Sequence, residues 1–135
     1  MLYCKKFYKV LRLKIKMEEA NTWFKKAEKE FQTAKYNIKG NEIEAGAFFL
    51  QQSAEKALKA LLIKKTKELI KTHDLVFLAK KISAPKEIIE KCQRLTVIYQ
   101  QVRYPDIPQT SELKNEIEEL IKYTEDILKW TKKNL

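Results

Sequence analysis

The chain has 135 residues and a formal charge of +10, with 28 Lys and Arg against 18 Asp and Glu. Apolar residues make up 44%, which excludes disorder by composition, and 2 Gly with 3 Pro leave few turns for a sandwich, a barrel or a Gly-rich phosphate loop. One His, two lone Cys and no apolar run near roughly 20 residues exclude an ordinary closed zinc site, a disulfide framework and a membrane span. The expectation is a basic, all-α protein of a reducing cytoplasm, with no metal, no cofactor and no membrane partner. Abundant Lys and Glu also follow a thermophile trend, which seven Gln weaken.

The charge is unevenly placed. Residues 1–17 carry six bases and no acid, whereas residues 18–135 carry 22 bases and 18 acids. Leu11, Leu13, Ile15 and Met17 alternate with Arg12, Lys14 and Lys16, a period of two that suits a strand better than a helix. Residues 1–16 are therefore set apart as a basic N-terminal arm ahead of a helical bundle over residues 17–135. Three readings of the arm stay open: an extension ahead of a start at Met17, an edge strand packed on a neighbour, or a basic arm for nucleic acid or anionic lipid.

Five apolar stripes follow at spacings of three and four. The first is Ala20, Phe24, Ala27, Phe31, Ala34 and Ile38, stopped by Gly40-Asn41. The second is Ile43, Ala47, Leu50, Ala54, Leu58 and Leu61. Further apolar residues on its adjoining faces predict contact from more than one side. Thr72 or Asp74 is expected to cap a short third helix presenting Leu75, Leu78 and Ile82. Pro85 starts the fourth stripe, Ile88, Cys92, Leu95, Tyr99 and Val102, which ends at Tyr104-Pro105. Thr110 or Ser111 caps the fifth, Leu113, Ile117, Leu120, Thr124 and Ile127. Short connections predict an up-and-down antiparallel bundle of four to five helices. Residues 67–104 have an excess of bases and residues 105–135 an excess of acids, which could orient a partner or join neighbouring helices.

Three constellations could carry chemistry. On the second helix Gln52, Glu55, Lys56 and Lys59 share a polar strip, with Glu55 and Lys59 an i,i+4 pair of favourable polarity. Thr72-His73-Asp74-Leu75 combines helix-capping side chains with an imidazole, a group that serves as base, switch or ligand. Tyr99, Arg103, Tyr104 and Asp106 gather an Arg, two aromatic rings and a carboxylate around one helix end. Arg103 there either complements the helix dipole or grips a phosphate or carboxylate.

The run Ala47–Leu61, then Thr72-His73-Asp74-Leu75, then Leu95, Tyr99 and Arg103-Tyr104-Pro105-Asp106 resembles the HEPN domain (higher eukaryotes and prokaryotes nucleotide-binding), with Trp23–Ala27 in keeping. The likeness covers about Met17–Leu135. It implies a helical bundle, often dimeric, that in small prokaryotic members works beside a separate minimal nucleotidyltransferase in modules of toxin–antitoxin character. Ribonuclease members carry a His four to six residues after an Arg. Here Tyr104, Pro105, Asp106, Ile107, Pro108 and Gln109 follow Arg103, so the general acid–base imidazole is absent. The expectation is a non-catalytic homodimer, partner of a minimal nucleotidyltransferase, that binds a nucleotide. Lys59, His73 and Arg103 would meet its phosphates and Tyr104 stack on its base. Glu55 and Asp106 would hold the cations, with Gln52, Lys56, Asp74 and Tyr99 in support. An RNA-cleaving toxin enzyme or an RNA-binding module is the alternative.

Overall fold

Every long stretch between turn residues is rich in Leu, Lys, Glu, Ala and Ile with an apolar stripe, and each forms a helix. The computed structural model describes residues 2–103 and 111–135, with the side chains of residues 2–4, 99, 102, 103, 111 and 112 left aside. The elements are α1 (Leu2–Lys39), α2 (Ile43–Thr66), α3 (Leu75–Lys81), α4 (Lys86–Arg103) and α5 (Ser111–Asn134), an all-α fold with no strand among the described residues.

The arm is the main correction. It is no strand: residues 2–16 continue α1 without a break. The alternation spans only Leu11–Met17, and Leu, Lys, Arg and Met all favour helix. No Gly or Pro occurs before Gly40. The helix over residues 20–39 supplies the costly nucleus, and propagation into the arm then adds one hydrogen bond per residue fixed.

α1 ends at a left-handed Asn41 (φ 64°), with Asn41 N–H donating to the Ile38 carbonyl and Glu42 N–H to that of Asn37. The turn sends α2 back along α1. Gly46 lies where the two helices meet: a Cβ there would overlap the Ile38 side chain and stand 3.3 Å from the Ala34 carbonyl oxygen. Ser53 Oγ donates to the Ala27 carbonyl at 2.7 Å, a buried link between the same helices.

α2 is the central element and touches all four other helices. Its residues Leu50, Ala54, Ala57, Leu58, Leu61 and Leu62 are fully buried. Burying each Leu side chain contributes about 1.5–3 kcal/mol, so the broad apolar surface of α2 is where the core is concentrated. The expected stripes of α1, α3, α4 and α5 close on it, with Phe24, Phe31, Leu78, Ile82, Leu95, Leu120 and Ile127 in one cluster.

Of the two capping candidates, Asp74 is the one that caps α3. Its Oδ1 accepts the Phe77 N–H at 3.1 Å, while Thr72 Oγ1 accepts the N–H of Asp74 itself at 3.1 Å. Thr72 lies too early in the chain to reach the free amides of the first turn. The Pro85 carbonyl accepts from Ile88 and Ile89 and so starts α4. Thr110 and the Ser111 side chain lie outside the described residues. The charge imbalance serves helix pairing: Lys91 meets Asp126 at 3.0 Å and Arg94 meets Glu116 at 2.7 Å between α4 and α5.

Candidate functional site

The polar strip of α2 is less exposed than a solvated helix face. Its residue Glu55 is only 3% exposed and Lys59 only 6%. They lie one turn apart, and Lys59 Nζ meets Glu55 Oε2 at 3.2 Å. The strip is covered from one side by α1, where Trp23 places its ring 5.7 Å from the Lys59 ammonium. Burying one charge alone would cost several kcal/mol, and the pairing offsets that cost for both.

The second Glu55 oxygen faces the connector between α2 and α3. His73 Nδ1 lies 2.7 Å from Glu55 Oε1. Two motifs separate in sequence therefore form one site. The connector is held at the same place by its backbone, since Gln51 Nε2 donates to the His73 carbonyl at 3.3 Å. Asp74, the next residue, is fixed by capping α3. His73 is thus anchored through ring, carbonyl and neighbour, while its side chain remains 65% exposed.

This arrangement has a definite chemical sense. An ionised carboxylate only accepts hydrogen bonds, so the Nδ1 facing Glu55 carries the proton. Nε2 is then the ring atom left for a ligand. Glu55, balanced by Lys59 behind it, sets the tautomer and the direction of the ring. Lys59 lies behind the imidazole rather than at the surface.

Gln52 and Lys56 belong to an adjoining network. Lys56 Nζ pairs with Glu30 Oε2 of α1 at 2.7 Å and receives support from Gln52 Oε1 at 3.4 Å. Gln52 Nε2 in turn donates to Gln51 Oε1 at 3.0 Å. The two networks meet at Gln51. The side chains of Tyr99 and Arg103, with Tyr104 and Asp106 entirely, lie outside the described residues, although Arg103 is the last residue of α4.

Gln51, Trp23 and Glu30 are absent from the residues expected from sequence. Gln51 is 1% exposed, and its one signal is its place a turn before Glu55, where an amide interrupts an otherwise apolar surface. Trp23 and Glu30 lie on another helix, and only the pairing of α1 with α2 brings them in. Among the described residues no group of three His, Cys, Asp or Glu is placed to hold a metal ion, and no helix is long and apolar enough to cross a membrane.

The family model of the HEPN domain matches residues 20–135. ST0689, described as an archaeal HEPN homologue, is 30% identical and superposes with a TM-score of 0.69, over 84% of this chain and 94% of that one. TT1696 from Thermus thermophilus superposes with a TM-score of 0.76 at 23% identity, over 86% of this chain and 98% of that one, a likeness of fold. No curated protein matches.

Proposed function

The chain belongs to the HEPN domain family, and we propose that it is a non-catalytic member: a cytoplasmic homodimer that partners a minimal nucleotidyltransferase and binds a nucleotide at His73. The observation that carries the nucleotide reading is the contact between Glu55 and His73. A buried carboxylate holds an exposed imidazole with Nε2 outward, where the doubly protonated ring donates to a phosphate, and the Lys59 charge cancels the anion that would otherwise repel that phosphate. Arg103 and Tyr104 would complete the site, one as a two-pronged phosphate donor and the other as a stacking surface for the base.

The non-catalytic reading rests on sequence. No His follows Arg103 within the interval at which ribonuclease members carry one. Tyr104 is a poor replacement, because a phenol gives up its proton only near pH 10 in its ordinary state. The Glu55–His73 contact also supports a second reading, since a carboxylate-oriented imidazole is what a general base for RNA cleavage needs.

One preparation tests both. Calorimetric titration with ATP, GTP and a mixed nucleotide set at low salt should show binding below millimolar concentration, and incubation with structured and single-stranded RNA should leave it intact. Absence of binding removes the nucleotide and leaves only the protein partner. RNA cleavage abolished by His73→Ala overturns the non-catalytic reading. A short nucleotidyltransferase encoded beside this protein, and its co-purification with the chain, would support the partnership.

A further inference from the structure

α1 has 38 residues and α2 only 24. The two run antiparallel, with Ala27 beside Ser53, Glu30 beside Lys56 and Trp23 beside Lys59. By that register α2 ends about level with Lys16, and the first part of α1 stands about 20 Å beyond it at the usual rise per residue.

The helix inverts its polarity at this boundary. The buried row Ala34, Phe31, Ala27, Phe24 and Ala20 continues, in steps of three and four, into Lys16, Leu13, Lys9 and Lys6. The opposite, exposed row Lys29, Lys25, Thr22 and Glu18 continues into Ile15, Leu11 and Phe7. Tyr8, Val10 and Met17 widen that apolar face to roughly half the circumference at about 3.6 residues per turn. Within it Leu11 is 42% exposed, Ile15 53%, Phe7 66% and Tyr8 68%. The apolar face therefore points away from the bundle core, and three of the four positions that continue the core's own row are cations.

The charges narrow the occupant. Lys16 pairs with Glu19 at 3.1 Å, whereas Lys5, Lys6, Lys9, Arg12 and Lys14 have no acidic partner among the described residues. Pairing two such arms would set like charges together, the reverse of the complementary flanks that helix pairs use. A nucleic acid would use the cations and leave the apolar half in water. A surface both anionic and apolar satisfies the two halves together. Among the described residues no helix is long and apolar enough to cross a membrane, which leaves an interfacial placement for this one.

We infer that the N-terminal part of α1 is an interfacial helix that lays Phe7, Leu11 and Ile15 into the headgroup boundary of an anionic lipid bilayer. Lys14 lies within that face and Lys6 and Arg12 flank it, where their long side chains reach lipid phosphates. Lys25 and Lys29, farther along the same side of α1, are exposed and meet the same plane. The bundle then lies along the surface by the outer edge of α1, with α2 and the His73 site turned away from it.

Co-sedimentation of the full chain with phosphatidylcholine vesicles, with and without phosphatidylglycerol, tests this. Partition is expected on anionic vesicles, weakening by tenfold or more on neutral ones and as salt rises from about 0.05 M to about 0.5 M. The pair Leu11→Glu and Ile15→Glu alters only exposed positions and should remove binding with unchanged thermal stability. Lys25→Ala and Lys29→Ala should each weaken it about fivefold. Absence of partition at low salt overturns the inference. So does equal binding to neutral vesicles, or binding that survives the paired Glu variant. An oligomer that the same variant dissociates, without vesicle binding, assigns the face to a second copy instead. RNA binding that the variant leaves intact, again without vesicle binding, assigns the arm to nucleic acid.

Discussion

His73 Nδ1 lies 2.7 Å from Oε1 of Glu55, so the connector after α2 is tied back to the middle of the helix it left. The partners differ sharply in environment: the Glu55 side chain is 4% exposed and that of His73 65%. One end of the contact is structural and the other is available to a ligand. Because Lys59 takes the second carboxylate oxygen, loss of each partner has a different consequence.

Glu55→Ala should be severely destabilising. It leaves the Lys59 ammonium buried beside Trp23 with its counter-charge gone, a defect that costs about 3–5 kcal/mol. The double variant Glu55→Ala with Lys59→Met should recover most of that loss, since removing both charges spares their desolvation. Urea unfolding midpoints of the three proteins check it. A single variant within about 1 kcal/mol of the parent would show that the pair is solvated.

His73→Gln should separate stability from binding. An exposed imidazole contributes no more than about 1 kcal/mol through its contact with Glu55, so the unfolding midpoint should barely move. Nucleotide affinity should fall about tenfold or more, as expected when a charge-assisted phosphate contact is lost. Calorimetry and thermal unfolding on one preparation give both readouts. Equal losses in both would make His73 a structural residue.

Much of this was legible in the residues, for identifiable reasons. Periodicity places Leu58, Leu78, Leu95 and Leu120 in the core, because a helix buries residues three and four apart whatever it packs against. The polar strip and the His73 motif are visible separately. Their union through Glu55 depends on how the connector folds back, which no spacing within one helix encodes. Gln51 is hidden for the same reason. The arm misleads because seven alternating residues fit both periods, and only continuity with residues 20–39 decides between them.

Gly46→Ala should destabilise despite the better helix propensity of Ala. The added methyl meets the Ile38 side chain and the Ala34 carbonyl, and the carbonyl belongs to a helix backbone that cannot easily yield. Overpacking of this kind costs about 1–3 kcal/mol. Ile38→Ala in the same chain should relieve part of it, giving non-additive changes in thermal midpoint. An Ala variant more stable than the parent would show that α1 and α2 can part without loss.

Asp74→Ala removes the side chain that accepts the Phe77 N–H at the start of α3. The loss of such a cap costs about 1 kcal/mol. Because His73 and Asp74 are adjacent, it should also loosen the connector. Hydrogen exchange should then quicken at residues 75–78 while the amides of α2 keep their protection. Asp74→Asn, which retains a capping oxygen, should behave almost as the parent.

Cys92 gives the protein an alkaline liability. The residue is fully buried in α4, and burial pushes its thiol up to about 12. The folded state thus holds the proton more tightly than the unfolded chain, whose thiol titrates near 9. A group raised in this way contributes fully below about pH 9, and its contribution is lost as pH climbs from there through about 12. The slope approaches about 1.4 kcal/mol per pH unit from this one group. The comparison is with Cys92→Ala, which is less stable at neutral pH but should show a shallower decline in unfolding free energy above pH 9. Parallel declines would show that the thiol ionises in the folded state at its ordinary pH, and rapid labelling of Cys92 itself near pH 9, in native protein carrying Cys4→Ser, would show the same directly.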